Sequence, residues 1–214
     1  MRYCILAYTD NIEPFETPRQ LCEVNGEPLI KRTIRLLKEN GEDDILVTSA
    51  DPRFDNLGAT RYEPLHNDWR PRQNTGYWLS AFPQELLNEP ITFLLGDCYY
   101  SEDAIRTIIK TPTKSVMFFC SYKNKDERYL QIKHHDEPFG FKVIDGVLFR
   151  RHIELCKRQF DKGVCKRNPI CWELYRSLQG IPITVHRIST NVCVINDESC
   201  DVDTPENLER LNRR

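Results

Sequence analysis

The run Ile91-Thr92-Phe93-Leu94-Leu95 is the stretch of this chain that tolerates the fewest folds. Four of its five residues are apolar and none alternates with a charge, so a strand here has to be covered on both faces. It is too short for a helix of ordinary length. Pro90 precedes the run and Gly96-Asp97 stops it, after which Ser101-Glu102-Asp103 reads as a helix start. Strands buried on both faces belong to layered, mainly parallel sheets. Open sheets of that kind bind ligands beyond the carboxyl ends of their strands. Asp97 stands at such an end, although Asp is also a common turn residue.

The flanking segments repeat the theme. Tyr3 to Ala7 reads as a short buried strand, and Tyr8 to Arg19 as a loop with two prolines and no period. Pro28 opens a helix in which Leu29, Ile30, Thr33, Ile34 and Leu37 share one face, and Asn40-Gly41 ends it. Ile45-Leu46-Val47 is the next strand. Gly76 to Leu87 reads as a helix kinked at Pro83. A helix with the stripe Ala104, Ile105, Ile108 and Ile109 follows Asp97, and Ser115 to Cys120 is again a strand. Alternating strand and helix over the first 120 residues predicts a three-layer, Rossmann-like α/β fold, a mixed and mostly parallel sheet with helices on both faces.

From Tyr122 the texture changes. Tyr129 to Ile132 alternates, and Asp145-Gly146 between Phe141–Ile144 and Val147–Phe149 signals a hairpin. Residues 1–214 are therefore expected to form a single domain with a small β-rich substrate lobe inserted at about 122–150. Helical patterns near Arg150–Phe160 and Pro169–Leu178 follow, then strands at Thr184–Ile188 and Val192–Ile195. A last helix has Thr204 as N-cap and Pro205 in its first turn.

Composition serves mainly to exclude. A net charge of −2 with 29% charged residues gives no footing for a nucleic-acid or membrane-surface protein. The first residues turn polar too soon for a signal peptide, and no apolar run approaches the roughly 20 residues that span a bilayer. Nine cysteines without a single C-x-x-C pair read as reduced, mostly buried thiols, which places the chain in the cytoplasm.

Three stretches, taken in order, resemble the nucleotidyltransferases with a glycosyltransferase-A-like fold, which include sugar-phosphate and choline-phosphate nucleotidyltransferases. The first is the strand Tyr3–Ala7, a loop, Thr17-Pro18-Arg19 and then Asn25-Gly26-Glu27-Pro28-Leu29-Ile30. The second is Leu95-Gly96-Asp97, and the third is Asp201-Val202-Asp203-Thr204-Pro205-Glu206-Asn207-Leu208. The resemblance implies that Asp97 and Asp203 are the two carboxylates that hold Mg²⁺, with Arg19 neutralising charge on a triphosphate. It implies that Ala7, Tyr8 and Thr9 line the triphosphate and that Asn74, Thr75 and Gly76, before a helix, read the nucleotide base. The implied partners are a nucleoside triphosphate, CTP above the others, and a small phosphorylated acceptor, with pyrophosphate released, in the making of surface-polysaccharide precursors. It leaves room for a homodimer.

The chain departs from the family in one place. Its first loop, Ala7-Tyr8-Thr9-Asp10-Asn11-Ile12-Glu13-Pro14, has two acids and no glycine, where the family wraps the triphosphate in a glycine-rich turn. Two alternatives therefore stand beside the transferase: a glycosyltransferase of the same fold using Asp201-Val202-Asp203 as a D-x-D motif, and a non-catalytic nucleotide or sugar-phosphate binder. Trp69, Trp78 and Trp172 are candidates for stacking on a base or a cation, though packing is the commoner use. His134-His135-Asp136 reads as a polar loop. The basic group from Arg150 to Arg167 reads as a solvated helix face, and Lys123, Lys125 and Lys142 as candidates for reaching a phosphate.

Overall fold

The computed structural model describes residues 1–7, 14–70, 73–122 and 136–213. In chain order the strands and helices are β1 (Arg2–Leu6), β2 (Glu23–Val24), β3 (Glu27–Pro28), α1 (Leu29–Glu39), β4 (Ile45–Thr48), β5 (Thr60–Tyr62), β6 (Ile91–Leu95) and β7 (Cys98–Tyr99). There follow α2 (Glu102–Lys110), β8 (Val116–Cys120), β9 (Pro138–Val143), α3 (Gly146–Asp161), α4 (Cys171–Leu178), β10 (Val192–Val194), β11 (Cys200–Asp201) and α5 (Pro205–Asn212). Seven strands form one sheet in the order β10-β8-β9-β6-β1-β4-β5. All neighbours pair in parallel except β9, which runs antiparallel between β6 and β8. The mostly parallel α/β sheet expected from the sequence is thus present.

Burial explains the sheet's place. Every residue of β6 is buried, as are the last four of β1, so both faces of the sheet centre are covered. Helix α1 packs with α2, and α3 with α4. The apolar stripe of α1 is buried as its spacing predicts, and Asn40 with a left-handed Gly41 closes it. Ser101 caps α2 by accepting from Ala104 N at 2.9 Å. A cluster of rings fills one side of the sheet, with Phe82 edge-on to Phe93, Phe141 and Phe149.

Several expectations need correction. Gly76–Leu87 is no helix: two 3-10 turns, Trp78–Ala81 and Gln84–Leu86, are separated where Pro83 removes a donor and holds Phe82 extended. Asp145-Gly146 makes no hairpin. Asp145 caps α3, accepting from Leu148 N at 2.8 Å, and Val147-Leu148-Phe149 are helical. Gly146 is required there because a Cβ would lie 1.9 Å from the Leu87 carbonyl oxygen. The segment 184–188 is not a strand, since its neighbours are held by α4 instead. Arg176 takes the Ile183 carbonyl at 2.7 Å, and Ser189 N donates to the Tyr175 hydroxyl at 2.7 Å.

Within the expected lobe at 122–150, β9 belongs to the central sheet. The alternating stretch Tyr129–Ile132, His134-His135, Lys123 and Lys125 lie outside the described residues. Lys142 faces no solvent. Its Nζ donates to the carbonyls of Ile109 at 2.9 Å and Thr111 at 2.7 Å, finishing the end of α2. All nine cysteines are free and seven are buried. No helix among the described residues is long and apolar enough to cross a membrane.

Candidate active site

The site is assembled where β6 ends. Gly96 N donates to the Leu6 carbonyl at 3.0 Å, so the chain leaves the sheet pressed against the end of β1. A Cβ at Gly96 would lie 2.7 Å from that Leu6 oxygen and 3.1 Å from the Gln20 side chain, which leaves glycine as the residue that fits. Asp97 follows at once. The Tyr100 hydroxyl is within hydrogen-bond distance of the carbonyls of Leu95, at 3.0 Å, and Phe139, at 2.8 Å, pinning the turn from below.

The opposing acids come from the other end of the chain. Strands β7 and β11 form a short antiparallel ladder in which Cys98 faces Asp201, and Val202 N donates to the Asp97 carbonyl at 3.0 Å. Val202 is fully buried in a small cluster with Val24, Leu29 and Leu211. Its two neighbours, Asp201 and Asp203, both line the site's cavity instead. Thr204 caps α5 in a reciprocal capping box with Asn207 and so fixes where the segment ends. Arg19, on a 3-10 turn after Pro18, forms an ion pair with Asp203.

These groups line one end of a cavity of about 760 Å³. Trp69, Trp78, Trp172 and Tyr122 supply aromatic walls, and Arg167, Arg176, His186 and Arg187 form a basic side. Glu173, almost fully buried, organises that basic side. Its Oε1 accepts from Arg167 at 2.8 Å and Arg176 at 3.2 Å, and its Oε2 accepts from Ile170 N at 3.0 Å. Arg176 also lies 3.0 Å from His186 Nδ1.

Electrostatics mark out the acid end. Burial pushes the Asp97 carboxyl above the usual carboxylate range, and the charge of Asp203 adds to this, while the Asp97 backbone amide and Arg19 oppose it. Burial raises Asp201 as well, helped by the charges of Asp97, Asp203 and Glu137 and opposed by Arg19. Asp201 Oδ1 is shut off from solvent with no hydrogen-bond partner. One ligand atom from each of Asp97, Cys98 and Asp201 lies within 4.8 Å of the others. Two half-buried carboxylates brought this close favour a cation between them.

Of the residues singled out from the sequence, Arg19, Asp97 and Asp203 all line the cavity. Ala7 sits at the end of β1, its N donating to Thr48, while Tyr8 and Thr9 lie outside the described residues. Asn74, Thr75 and Gly76 do not line the cavity. Thr75 bridges back to Arg70, and the Gly76 carbonyl is taken by Asn168 Nδ2 at 2.8 Å. The tryptophans flanking that turn, Trp69 and Trp78, line the cavity instead. Sequence reasoning missed Asp201 as a partner of Asp97 and missed the basic side formed by Arg176 and His186. The acid-apolar-acid alternation of Asp201-Val202-Asp203 is the signal that finds the first. No local signal finds the second.

Neither a family model nor a curated protein matches the chain. Solved structures do. CTP:phosphocholine cytidylyltransferase of Streptococcus pneumoniae shares 17% identity at a TM-score of 0.58, covering 99% of this chain and 97% of that one. A Bacillus anthracis protein described as a putative glucose-1-phosphate thymidylyltransferase shares 16% at 0.62, over 100% and 94%. 2-C-methyl-D-erythritol 4-phosphate cytidylyltransferase of Thermus thermophilus shares 14% at 0.60, over 99% and 97%. All three are similar to this chain from end to end in fold.

Proposed function

We propose that a chain with this fold and this acid-lined cavity is a nucleotidyltransferase, joining a nucleoside triphosphate to a small phosphorylated acceptor and releasing pyrophosphate. The observation that carries the reading is the convergence of Asp97, Asp201, Asp203 and Arg19 at the carboxyl end of β6, facing one cavity. CTP as the nucleotide and a phosphate monoester as the acceptor are the finer proposal, as are Mg²⁺, a cytoplasmic setting and a place in surface-polysaccharide precursor synthesis. Two of the three neighbours in fold are cytidylyltransferases by name, which supports CTP.

In the reaction an acceptor phosphate oxygen attacks the α-phosphorus in line. The new O–P bond forms as the bond from the α-phosphorus to the bridging oxygen breaks, and that oxygen leaves with pyrophosphate. The attacking oxygen is already anionic, so no general base is needed. Arg19, permanently charged, balances the negative charge that gathers on the leaving group. The basic side made by Arg167, His186 and Arg187 suits the second anionic partner, whose charge would be repelled at the acid end. The aromatic walls exclude water and offer a stacking face to a base.

The donor set fits Mg²⁺, which takes oxygen ligands and is often held by only one or two carboxylates. The unpartnered Asp201 Oδ1 beside Asp97 is an oxygen suited to such a partner. Asp97 and Asp203 would hold the ion together with Asp201, and the bound ion would supply charge neutralisation at the phosphates.

The test is a pyrophosphate-release screen of the common triphosphates against phosphorylated acceptors with Mg²⁺. Turnover should disappear in Asp97→Asn and Asp203→Asn while circular dichroism stays that of the parent. Release near the parent rate in either variant would sink the assignment. A second reading has one observation in its favour, since Asp201 and Asp203 line the same cavity, as a D-x-D motif would. Hydrolysis of a nucleotide sugar without pyrophosphate release from any triphosphate would select a glycosyltransferase instead.

A further inference from the structure

The proposed transfer gives Cys98 no part, yet the fold places its thiol at the acid centre. Cys98 and Asp201 are direct cross-strand partners in the β7–β11 ladder, so their side chains leave the same face. The adjacent Asp97 completes a group whose ligand atoms lie within 4.8 Å of one another. Asp203, paired with Arg19, is not one of the three. Independently of that spacing, Asp201 holds one oxygen out of solvent without a donor to satisfy it. A buried, unpartnered carboxylate oxygen close to a second carboxylate costs stability unless a cation or a proton lies between them.

We propose that Asp97, Cys98 and Asp201 form a binding site for a thiophilic divalent cation, Zn²⁺ or Cd²⁺, with Cys98 as the sulfur ligand. Carboxylates alone suit Mg²⁺ or Ca²⁺, whereas a thiolate selects Zn²⁺ and softer ions. As the metal–sulfur bond forms, the thiol proton passes to solvent and no electron is transferred. Zinc sits about 2.3 Å from sulfur and about 2.0–2.2 Å from oxygen, so tetrahedral ligands stand roughly 3.5 Å apart. Drawing the three atoms in by about 1 Å costs the Cys98 thiol its hydrogen bond to the Pro138 carbonyl, 3.8 Å away. A water takes the fourth position. The site shares two residues with the proposed Mg²⁺ centre but does not depend on the chain being a transferase. If both hold, Zn²⁺ competes with Mg²⁺ there.

X-ray absorption at the zinc edge, on the full unmodified chain loaded with one equivalent of Zn²⁺, reads the ligands directly. The expected shell has one sulfur at about 2.3 Å with oxygens at about 2.0–2.2 Å. A shell of oxygen and nitrogen alone overturns the proposal. In parallel, Cd²⁺ titration of the parent should raise the ultraviolet thiolate-to-cadmium band, and Cys98→Ser should abolish it. That variant should bind Cd²⁺ roughly tenfold more weakly or worse, the least that losses around metal sites give. Its Mg²⁺ affinity by calorimetry should be unchanged. A band that survives in Cys98→Ser, or a sulfur shell that does, refutes the role of Cys98. Should Cys98→Ser fail to fold, Cys98→Ala is read in its place, and a sulfur shell or cadmium band that survives in it, with the other eight thiols intact, refutes the role of Cys98.

Discussion

Replacing Asp201 with asparagine should make the metal-free protein more stable at neutral pH while removing the cation affinity proposed for this site. Asp201 Oδ1 has neither solvent nor a donor, and Asp97 adds like charge beside it. A buried acceptor left unpaired costs about 1–3 kcal/mol. The folded protein holds the Asp201 proton more tightly than the unfolded chain does, because burial first and Asp97 second raise its affinity. Below about pH 4, the ordinary carboxylate value, both states are protonated and no penalty exists. As pH rises, the unfolded chain ionises freely and the folded one resists, so stability is lost up to the folded value.

Asparagine removes that slope, and its amide can donate to Asp97. The expected gain is about 1–2 kcal/mol near pH 8, or about 2–8 °C in Tm for a chain of this length. It should vanish near pH 4. Glu27 and Asp51, whose carboxyls Arg35 and Arg53 hold low by hydrogen bonds, destabilise both proteins equally in acid and cancel from the difference. The measurement is thermal unfolding of the two proteins across pH with a chelator present. A variant no more stable than its parent near pH 8, or a gain that ignores pH, refutes the reasoning.

Gly96→Ala should cost about 1–3 kcal/mol in chemical denaturation, because its Cβ would lie 2.7 Å from the Leu6 carbonyl oxygen. It should also weaken cation binding, since Asp97 moves with the displaced backbone. Glu173→Gln leaves the buried Arg176 without its countercharge, a loss of about 3–5 kcal/mol. Scanning calorimetry should show Tm falling by roughly 6 °C or more. Lys142→Met strips the donors from two carbonyls at the end of α2 and should cost about 1–3 kcal/mol by the same method. Unchanged unfolding of Lys142→Met would mean that water replaces the ammonium without loss.

What was legible in the sequence was whatever depends on neighbours along the chain. The buried run of β6, the apolar stripe of α1 and the caps Ser101 and Thr204 follow from spacing and local hydrogen bonding, and all are found. What depends on distant partners was not. Asp145-Gly146 has the chemistry of a turn and of a helix cap alike, and the close approach of Leu87 decides between them. The antiparallel insertion of β9 between β6 and β8 depends on register that no periodicity records. At the site, Asp97 was visible as a strand end. Its pairing with Asp201 needed the β7–β11 register, and the basic side needed α4 folded against the segment that carries His186.

That register has a consequence for the order in which the molecule matures. Arg19 and Asp203 lie 184 positions apart, yet they touch. Asp97 is synthesised with β6, whereas its acidic counterparts follow only after every strand of the central sheet has been made. Domains can begin to fold while synthesis continues. The strands from β1 to β9 can therefore pair, and the aromatic core close, before Asp201 or Asp203 has reached the centre. During that interval Asp97 stands without those two neighbours, which spares it the repulsion of Asp203 that the finished protein bears. Distant contacts are the slow ones to form, so the acid centre is completed only on a sheet that already stands.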